Sequence, residues 1–168
     1  AVREAAPETR IEVLIPDFRG VEWAQDLVFE ARPDVLNHNL ETVPRLYKRV
    51  RPQARYQRSL DLLKRAKSKG LLVKSGIMLG LGEEEGEIEQ TLHDLRAHDC
   101  DIVTIGQYLR PSVKHHPLIR YVTPGEFKHW HEIGMAMGFT AVEAGALVRS
   151  SYHAHQSFER QQQKDAAN

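Results

Sequence analysis

The feature that most constrains the fold is a repeated alternation of short apolar runs and longer amphipathic segments. Strands are predicted at 11–16, 34–39, 71–80, 101–109 and 139–145, and helices at 21–31, 41–50, 56–70, 83–99 and 123–138. Short apolar runs closed by turn residues are typical of strands buried on both faces. Strand–helix units repeated at roughly 25–35 residues predict a parallel sheet with helices packed outside it.

The length indicates that this sheet does not close. A closed barrel of eight such units needs about 250 residues, and this chain has 168. The sequence therefore predicts an α/β fold of the partial, open TIM type, with strand 11–16 at an uncovered edge. The chain starts at Ala1, and "AVREAAPETR" has the pattern of the last turns of a helix. We therefore expect a fragment of a longer polypeptide.

Charge and cysteine content exclude several classes of function. Lys plus Arg and Asp plus Glu both number 23, so a neutral chain predicts neither nucleic acid nor an anionic membrane as partner. No apolar run reaches the roughly 18 residues of a membrane span, and no secretory signal is visible. The single cysteine, Cys100, excludes an internal disulfide and favours a reducing, cytoplasmic location.

Polar residues follow the second predicted strand in "NHNLETV" (37–43). Ligands of parallel βα folds bind at the carboxyl ends of the strands. The amide of Asn39 and the carboxylate of Glu41 suit ribose hydroxyls and an amino group. Alternatively, this stretch is only a turn in which Asn39 caps the next helix.

Glycines mark the end of the third strand, in "SGIMLGLGE" (75–83). Gly76, Gly80 and Gly82 would let a flat ligand lie close to the backbone. Glu83 stands at a helix entrance, where a carboxylate is favourable even without a ligand. The stretch lacks the Gly-Lys-Ser/Thr ending of a phosphate loop and the glycine spacing of a dinucleotide fingerprint.

The fourth strand ends in "TIGQYLRPS" (104–112), where Gln107 and Tyr108 can border a purine. Alternatively, Tyr108 is only a lid on the barrel top. Near the end of the sequence, "RSSYHA" (149–154) places hydroxyls where they cap a helix or face a group that this chain does not supply. No pair of histidines has the helical spacing of a zinc site.

Taken in order, several stretches together resemble the lipoyl synthase family of radical S-adenosylmethionine (SAM) enzymes. They are "IPDFRG", "NHNLETVPRLYKRVRPQARYQRSL", "KSGIMLGLGE", "TIGQYLRPS", "RYVTPGEFKHW" and "VRSSYHA", which lie within residues 8–155. The resemblance is to the carboxyl-terminal half of that family.

The resemblance implies a barrel of the radical-SAM type in which a [4Fe–4S] cluster binds SAM and cleaves it to a 5′-deoxyadenosyl radical. The radical would abstract hydrogens from an octanoyl chain on a carrier-protein lysine. A second, auxiliary [4Fe–4S] cluster would supply sulfur at C6 and C8. The implied partners are an octanoylated lipoyl carrier (the H protein or an E2 lipoyl domain) and an iron–sulfur carrier protein.

The resemblance also assigns residues. Those assigned to SAM are Asn39, Glu41, Arg58, Ser59, Gly76, Gly80, Glu83, Gln107 and Tyr108, with Tyr56 beside Arg58 as a further contact. Ser151, with Ser150 as runner-up, is assigned to an iron of the auxiliary cluster, where an alkoxide is a harder ligand than thiolate. Arg149 would steady the negative charge of that cluster. Residues 1–148 would form the barrel part, and 149–168 a tail that closes over the active site and excludes water.

The sequence departs from the family where cluster ligands are concerned. Fe–S clusters are held mainly by cysteine thiolates, and Cys100 stands alone. We therefore expect the cluster cysteines to lie outside this chain, and the chain alone to bind no cluster and to be inactive. The stretches "EAGALVRSSY" and "RPSVKHHP" also depart from the family pattern. One alternative hypothesis is a non-catalytic half-barrel, either a degenerate remnant or a module that needs a separate amino half. Another is an unrelated barrel fragment that binds a phosphorylated metabolite.

Overall fold

The structure, a computed structural model, describes residues 1–151, and five parallel strands form one sheet in the order β1-β2-β3-β4-β5. The strands are β1 (Glu12–Leu14), β2 (Val35–Asn37), β3 (Val73–Leu79), β4 (Ile102–Gln107) and β5 (Ala141–Gly145). The helices are α1 (Val2–Ala5), α2 (Glu22–Glu30), α3 (Tyr47–Val50), α4 (Tyr56–Ser68), α5 (Glu85–Ala97) and α6 (Pro124–Ala136). The sheet is open, since β1 and β5 are its two edges. The predicted partial barrel is therefore confirmed.

The predicted helix at 41–50 is wrong over its first part. Glu41 has a φ of 67° and forms a parallel bridge with Ile77, so the chain continues along β3 instead of turning into a helix. A short 3₁₀ turn, Pro44–Leu46, then leads into α3. A second 3₁₀ turn, Phe18–Gly20, follows β1.

Helix ends follow their local sequence signals. Thr123 caps α6 by accepting a hydrogen bond from the backbone N–H of Glu126, whose side chain returns to the cap, and Pro124 is the first helical residue. Gly70, with a φ of 78°, follows the last turn of α4, where Arg65 and Lys67 complement the helix dipole.

The two faces of the sheet differ because side chains alternate along each strand. On β3, Val73, Ile77 and Leu79 pack into the apolar core beneath the helices. Lys74, Gly76 and Met78 therefore face the interior of the open barrel. In register with β3, Thr104 and Gly106 of β4 lie on the same interior face.

A buried ion pair lies on this interior face. The side chain of Lys74 is only 1% exposed, and its Nζ lies 3.1 Å from Oε2 of Glu12 on β1. The other carboxylate oxygen of Glu12 accepts a hydrogen bond from the Asn37 side chain on β2. The cluster thus joins three adjacent strands.

Apolar side chains remain exposed on β1 and on the segment that follows it. They are Leu14 on β1, Val21, and Trp23 and Leu27 on α2. Within the described part of the chain, no helix has the length and apolar character that crossing a membrane requires.

Candidate functional site

A pocket lies at the carboxyl ends of β3 and β4 and has a volume of about 200 Å³. It is lined by Asn39, Glu41, Gly76, Ile77, Met78, Thr104, Gly106, Gln107, Leu109, Val148, Arg149 and Ser150. The lining combines stretches from after β2, from β3 and β4, and from after β5. This is the edge of the sheet where the sequence predicts a ligand site.

Gly76 forms the floor of the pocket, and a residue with a side chain would not fit at this position. A methyl group on Gly76 would lie 2.5 Å from Oγ1 of Thr104 and 2.9 Å from Oδ1 of Asn39. The same Oδ1 atom is buried and has no hydrogen-bond partner among the described residues. A buried acceptor without a donor is costly, since it has lost its water. The pocket therefore offers an acceptor for a ligand hydroxyl or amino group.

Asn39 and Glu41 are held together by a direct side-chain contact. The Nδ2 atom of Asn39 donates to Oε1 of Glu41 at 3.2 Å. The backbone of Glu41 pairs with β3 on both sides, because its N–H donates to Gly76 and its carbonyl accepts from Met78, each at 2.9 Å. The alternative in which Asn39 caps a helix is wrong, since Val43 precedes the following 3₁₀ turn and no side chain caps it.

Glu83 supports the turn after β3. Its carboxylate accepts hydrogen bonds from the backbone N–H groups of Gly80 at 2.6 Å and of Leu81 at 2.9 Å. Gly80 has a φ of 99°, which favours glycine. Neither Glu83 nor Gly80 lines the pocket, and Glu84 caps α5. The assignment of Gly80 and Glu83 to SAM stays a prediction.

Gln107 and Tyr108 lie side by side at the end of β4 but differ in exposure to the pocket. Gln107 lines it, and its amide is already bonded to backbone at both ends: Nε2 donates to Leu79 at 3.1 Å, and Oε1 accepts from Val122 at 2.8 Å. Tyr108 is buried in the core, and its hydroxyl donates to the carbonyl of His116. Gln107 therefore shapes the pocket wall through its fixed amide.

Three further residues assigned to SAM lie away from the pocket. The hydroxyl of Tyr56 donates to Asp94, and the guanidinium of Arg58 lies 2.6 Å from Asp17. Ser59 is fully buried, and its hydroxyl contacts Nε2 of His38 at 2.9 Å. Whether these residues contact SAM stays a prediction, and in the structure all three are part of internal networks.

His38 is a buried link between strand and helix. Its Nδ1 lies 2.8 Å from the carbonyl oxygen of Ile15, so this nitrogen carries the proton and donates it. Burial lowers the pKa of the imidazole, and this effect outweighs the hydrogen bond to Ile15, which raises the pKa. The neutral ring therefore accepts from Ser59 and joins β2 to α4.

The stretch after β5 covers part of the pocket. Val148, Arg149 and Ser150 line it, and a methyl group on Gly106 would lie 2.6 Å from the Val148 carbonyl oxygen. Ser151 is exposed and is the last described residue. The cluster roles of Arg149, Ser150 and Ser151 stay predictions. The rest of "RSSYHA" and the proposed tail closure lie outside the described residues.

Several lining residues were missed by the sequence analysis, including Thr104, Gly106, Leu109 and Val148. A glycine inside a strand is a usable signal, since it often marks close approach of backbone or ligand; Gly106 fits that rule. Within residues 1–151, no three His, Cys, Asp or Glu side chains group closely enough to hold a metal ion. Cys100 is buried in the core.

The sequence of this chain matches a known protein family. The sequence model described as "Radical SAM superfamily" matches residues 1–95 of the chain. The chain belongs to the radical SAM superfamily. A structural relative of this superfamily is the radical S-adenosylmethionine methyltransferase TsrM from Kitasatospora setae, solved with cobalamin and a [4Fe–4S] cluster bound. The structural match covers 99% of this chain and 47% of the methyltransferase chain, with a TM-score of 0.57 and 13% sequence identity. This likeness supports the fold alone.

Sequence relatives within the superfamily are named lipoyl synthase. The relative from Rubrobacter xylanophilus is 56% identical over 161 residues, which are 95% of this chain and 50% of that protein. The relative from Xylella fastidiosa strain 9a5c is 58% identical and is covered to 44%, and that from Caldanaerobacter subterraneus is 59% identical and is covered to 53%. This radical SAM chain thus spans about half the length of these curated relatives, and it matches their carboxyl-terminal part.

Proposed function

We propose that this chain is the carboxyl-terminal part of a cytoplasmic lipoyl synthase, which inserts two sulfur atoms at C6 and C8 of a protein-bound octanoyl chain. One observation carries the proposal: Asn39 and Arg149–Ser150 line the same pocket, although they are far apart in sequence. The resemblance assigns the first to SAM and the second to the auxiliary cluster. The similarity to proteins named lipoyl synthase supports the same conclusion.

The pocket residues fit part of SAM. The buried, unpartnered Oδ1 of Asn39 is an acceptor for a ribose hydroxyl or the methionine amino group. Glu41 offers a second acceptor beside it. Gly76 leaves the room that a flat group needs. When bound with its cluster, SAM supplies the radical that abstracts hydrogen from the alkyl chain.

The remaining pocket residues would control access to that chemistry. Met78, Leu109 and Val148 give the pocket an apolar wall that excludes water and suits an alkyl chain. Arg149, next to Val148, adds a positive charge to the lining, where it can balance an anionic cluster. Its guanidinium is oriented by a hydrogen bond to the Val148 carbonyl oxygen at 2.7 Å.

The chain itself does not fit an iron–sulfur cluster. Such clusters need several thiolates, and Cys100 is the single cysteine. We propose that the cysteines for both clusters come from outside this chain and that Ser151 contributes one further ligand, with Ser150 as the alternative. The proposed partners are an octanoylated H protein or E2 lipoyl domain and an iron–sulfur carrier protein.

The proposal can be tested on SAM binding and on turnover. The full polypeptide is reconstituted with iron and sulfide, and its SAM affinity is measured by calorimetry. Asn39→Leu should weaken SAM binding about tenfold or more, since it removes a buried acceptor. Glu89→Gln, exposed on α5, should have no effect. Equal affinities for all three proteins would contradict the assignment.

Sulfur insertion is followed by mass spectrometry on a peptide that carries octanoyl-lysine. Ser151→Ala should abolish or strongly reduce sulfur insertion while leaving SAM binding intact, and Ser150→Ala serves as the matched control. If Ser150→Ala alone abolishes insertion, Ser150 is the ligand. If the reconstituted wild type binds SAM but never modifies the peptide, the lipoyl synthase proposal fails.

A further inference from the structure

A basic and apolar surface, residues 109–121, follows β4 and borders the mouth of the pocket. Four of its large apolar side chains are exposed: Leu109 by 51%, Val113 by 83%, Ile119 by 56% and Tyr121 by 70%. Singly scattered exposed apolar residues are ordinary on soluble proteins, whereas concentrations of them mark interaction sites, and four fall within this one segment. Leu109 also lines the pocket, so the 109–121 surface is continuous with it.

The 109–121 surface carries a local excess of positive charge in a chain that is neutral overall. Arg110, Lys114 and Arg120 are exposed, and residues 109–125 include no acid. Glu126 pairs with Arg120 at 2.6 Å. Arg110 donates to the carbonyl oxygen of His115, a bond that leaves its charge uncompensated. Arg110 and Lys114 therefore give the surface a net positive potential.

The 109–121 surface is held in place by the turn that follows β3. The N–H of Ile119 donates to the Gly80 carbonyl at 2.9 Å, and Nε2 of His116 lies 2.9 Å from the Leu81 carbonyl oxygen. A surface fixed before binding loses little conformational entropy when a partner docks. These anchors favour a recognition role for the segment.

We propose that the 109–121 surface docks an acidic protein segment that flanks the acylated lysine of the carrier. The inference rests on the proposed function, because an alkyl chain that enters the pocket brings its backbone across the mouth. Arg110 and Lys114 attract and orient the acidic segment. Val113, Ile119 and Tyr121 provide the apolar contacts, and aromatic residues are enriched at such interfaces.

The test uses the full polypeptide and a fluorescein-labelled peptide in which aspartates and glutamates flank an N⁶-octanoyl-lysine. A second peptide replaces those acids by asparagine and glutamine. Fluorescence anisotropy should show binding about tenfold or more weaker for the neutral peptide, and a similar loss for Lys114→Glu with the acidic peptide. Lys64→Glu, on the outer face of α4, is the matched control and should bind both peptides like the wild type.

Several results would overturn the inference: equal affinity for both peptides, an equal loss in Lys64→Glu, or no binding of the acidic peptide. Tighter binding to phosphatidylglycerol vesicles than to the acidic peptide would assign the surface to a membrane instead. SAM affinity is measured on the same samples. If SAM does not bind the wild type, the proposed function fails; if SAM binds while the peptides are not distinguished, only the docking surface fails.

Discussion

Gly76→Ala is the sharpest perturbation of the pocket, because it adds a single methyl group at the floor. That methyl group would lie 2.5 Å from Thr104 Oγ1 and 2.9 Å from Asn39 Oδ1. Atoms at such distances overlap, so both side chains must rotate away. Overpacking of this kind costs about 1–3 kcal/mol of unfolding free energy.

Binding should suffer by a comparable amount. The rotated Asn39 no longer presents its oxygen to SAM, and returning it restores the overlap with the new methyl group. A cost of about 1–3 kcal/mol corresponds to an affinity lower by about fivefold to hundredfold. Calorimetric titration with SAM and chemical unfolding are measured on the same protein samples.

Two companion variants separate packing from general damage. Gly86→Ala, in the first turn of α5, meets no atom within 4 Å, so SAM affinity should be unchanged and stability should not fall. Thr104→Ala in the Gly76→Ala background removes the shorter overlap and should recover part of the lost stability. Unchanged stability and SAM affinity in Gly76→Ala would refute the close-packed floor.

Three further predictions concern ionisable groups whose pKa is shifted by their surroundings. Burial raises the pKa of Asp17, but hydrogen bonds from the Arg19 backbone and the Arg58 side chain outweigh burial, so the pKa is lowered overall. Asp17→Asn should therefore destabilise the protein near pH 7. The difference in unfolding free energy between the variant and the wild type should shrink as the pH falls through the folded-state pKa of Asp17. Burial lowers the pKa of His38 below 6.5, so on acidification the unfolded chain takes up a proton first. Stability should fall below about pH 6.5, and His38→Gln should remove that part of the pH dependence in urea titrations. Burial raises the pKa of Cys100 to about 12, so its thiol should react with Ellman's reagent only in denaturant; rapid reaction of the native protein would contradict the packed core.

The sheet was predictable because its strands are apolar runs of ordinary length. The segment from 41 to 43 was not, since its conformation depends on pairing between Glu41 and β3, a contact that local sequence does not encode. In such cases tertiary strand pairing overrides the conformation that local propensity and the hydrophobic pattern predict.

The site was predictable to the extent that it lies at strand ends. Asn39 and Gly76 follow from their position and chemistry, and the structure brings them together. Thr104 escaped notice, because a threonine inside a strand looks like any other β-branched residue. Arg58 and Ser59 lie on α4, and their sequence does not reveal that Asp17 and His38 already bind them.

The ion pair between Lys74 and Glu12 has a consequence for how the sheet assembles. If β3 slipped by one residue against its neighbours, Lys74 would move to the helix-side face, among leucines and valines. A buried charge without its partner costs about 3–5 kcal/mol. Sheets in the wrong register are therefore penalised at this one position, so the pair selects the correct alignment of β1, β2 and β3 even if it adds little to the stability of the native protein.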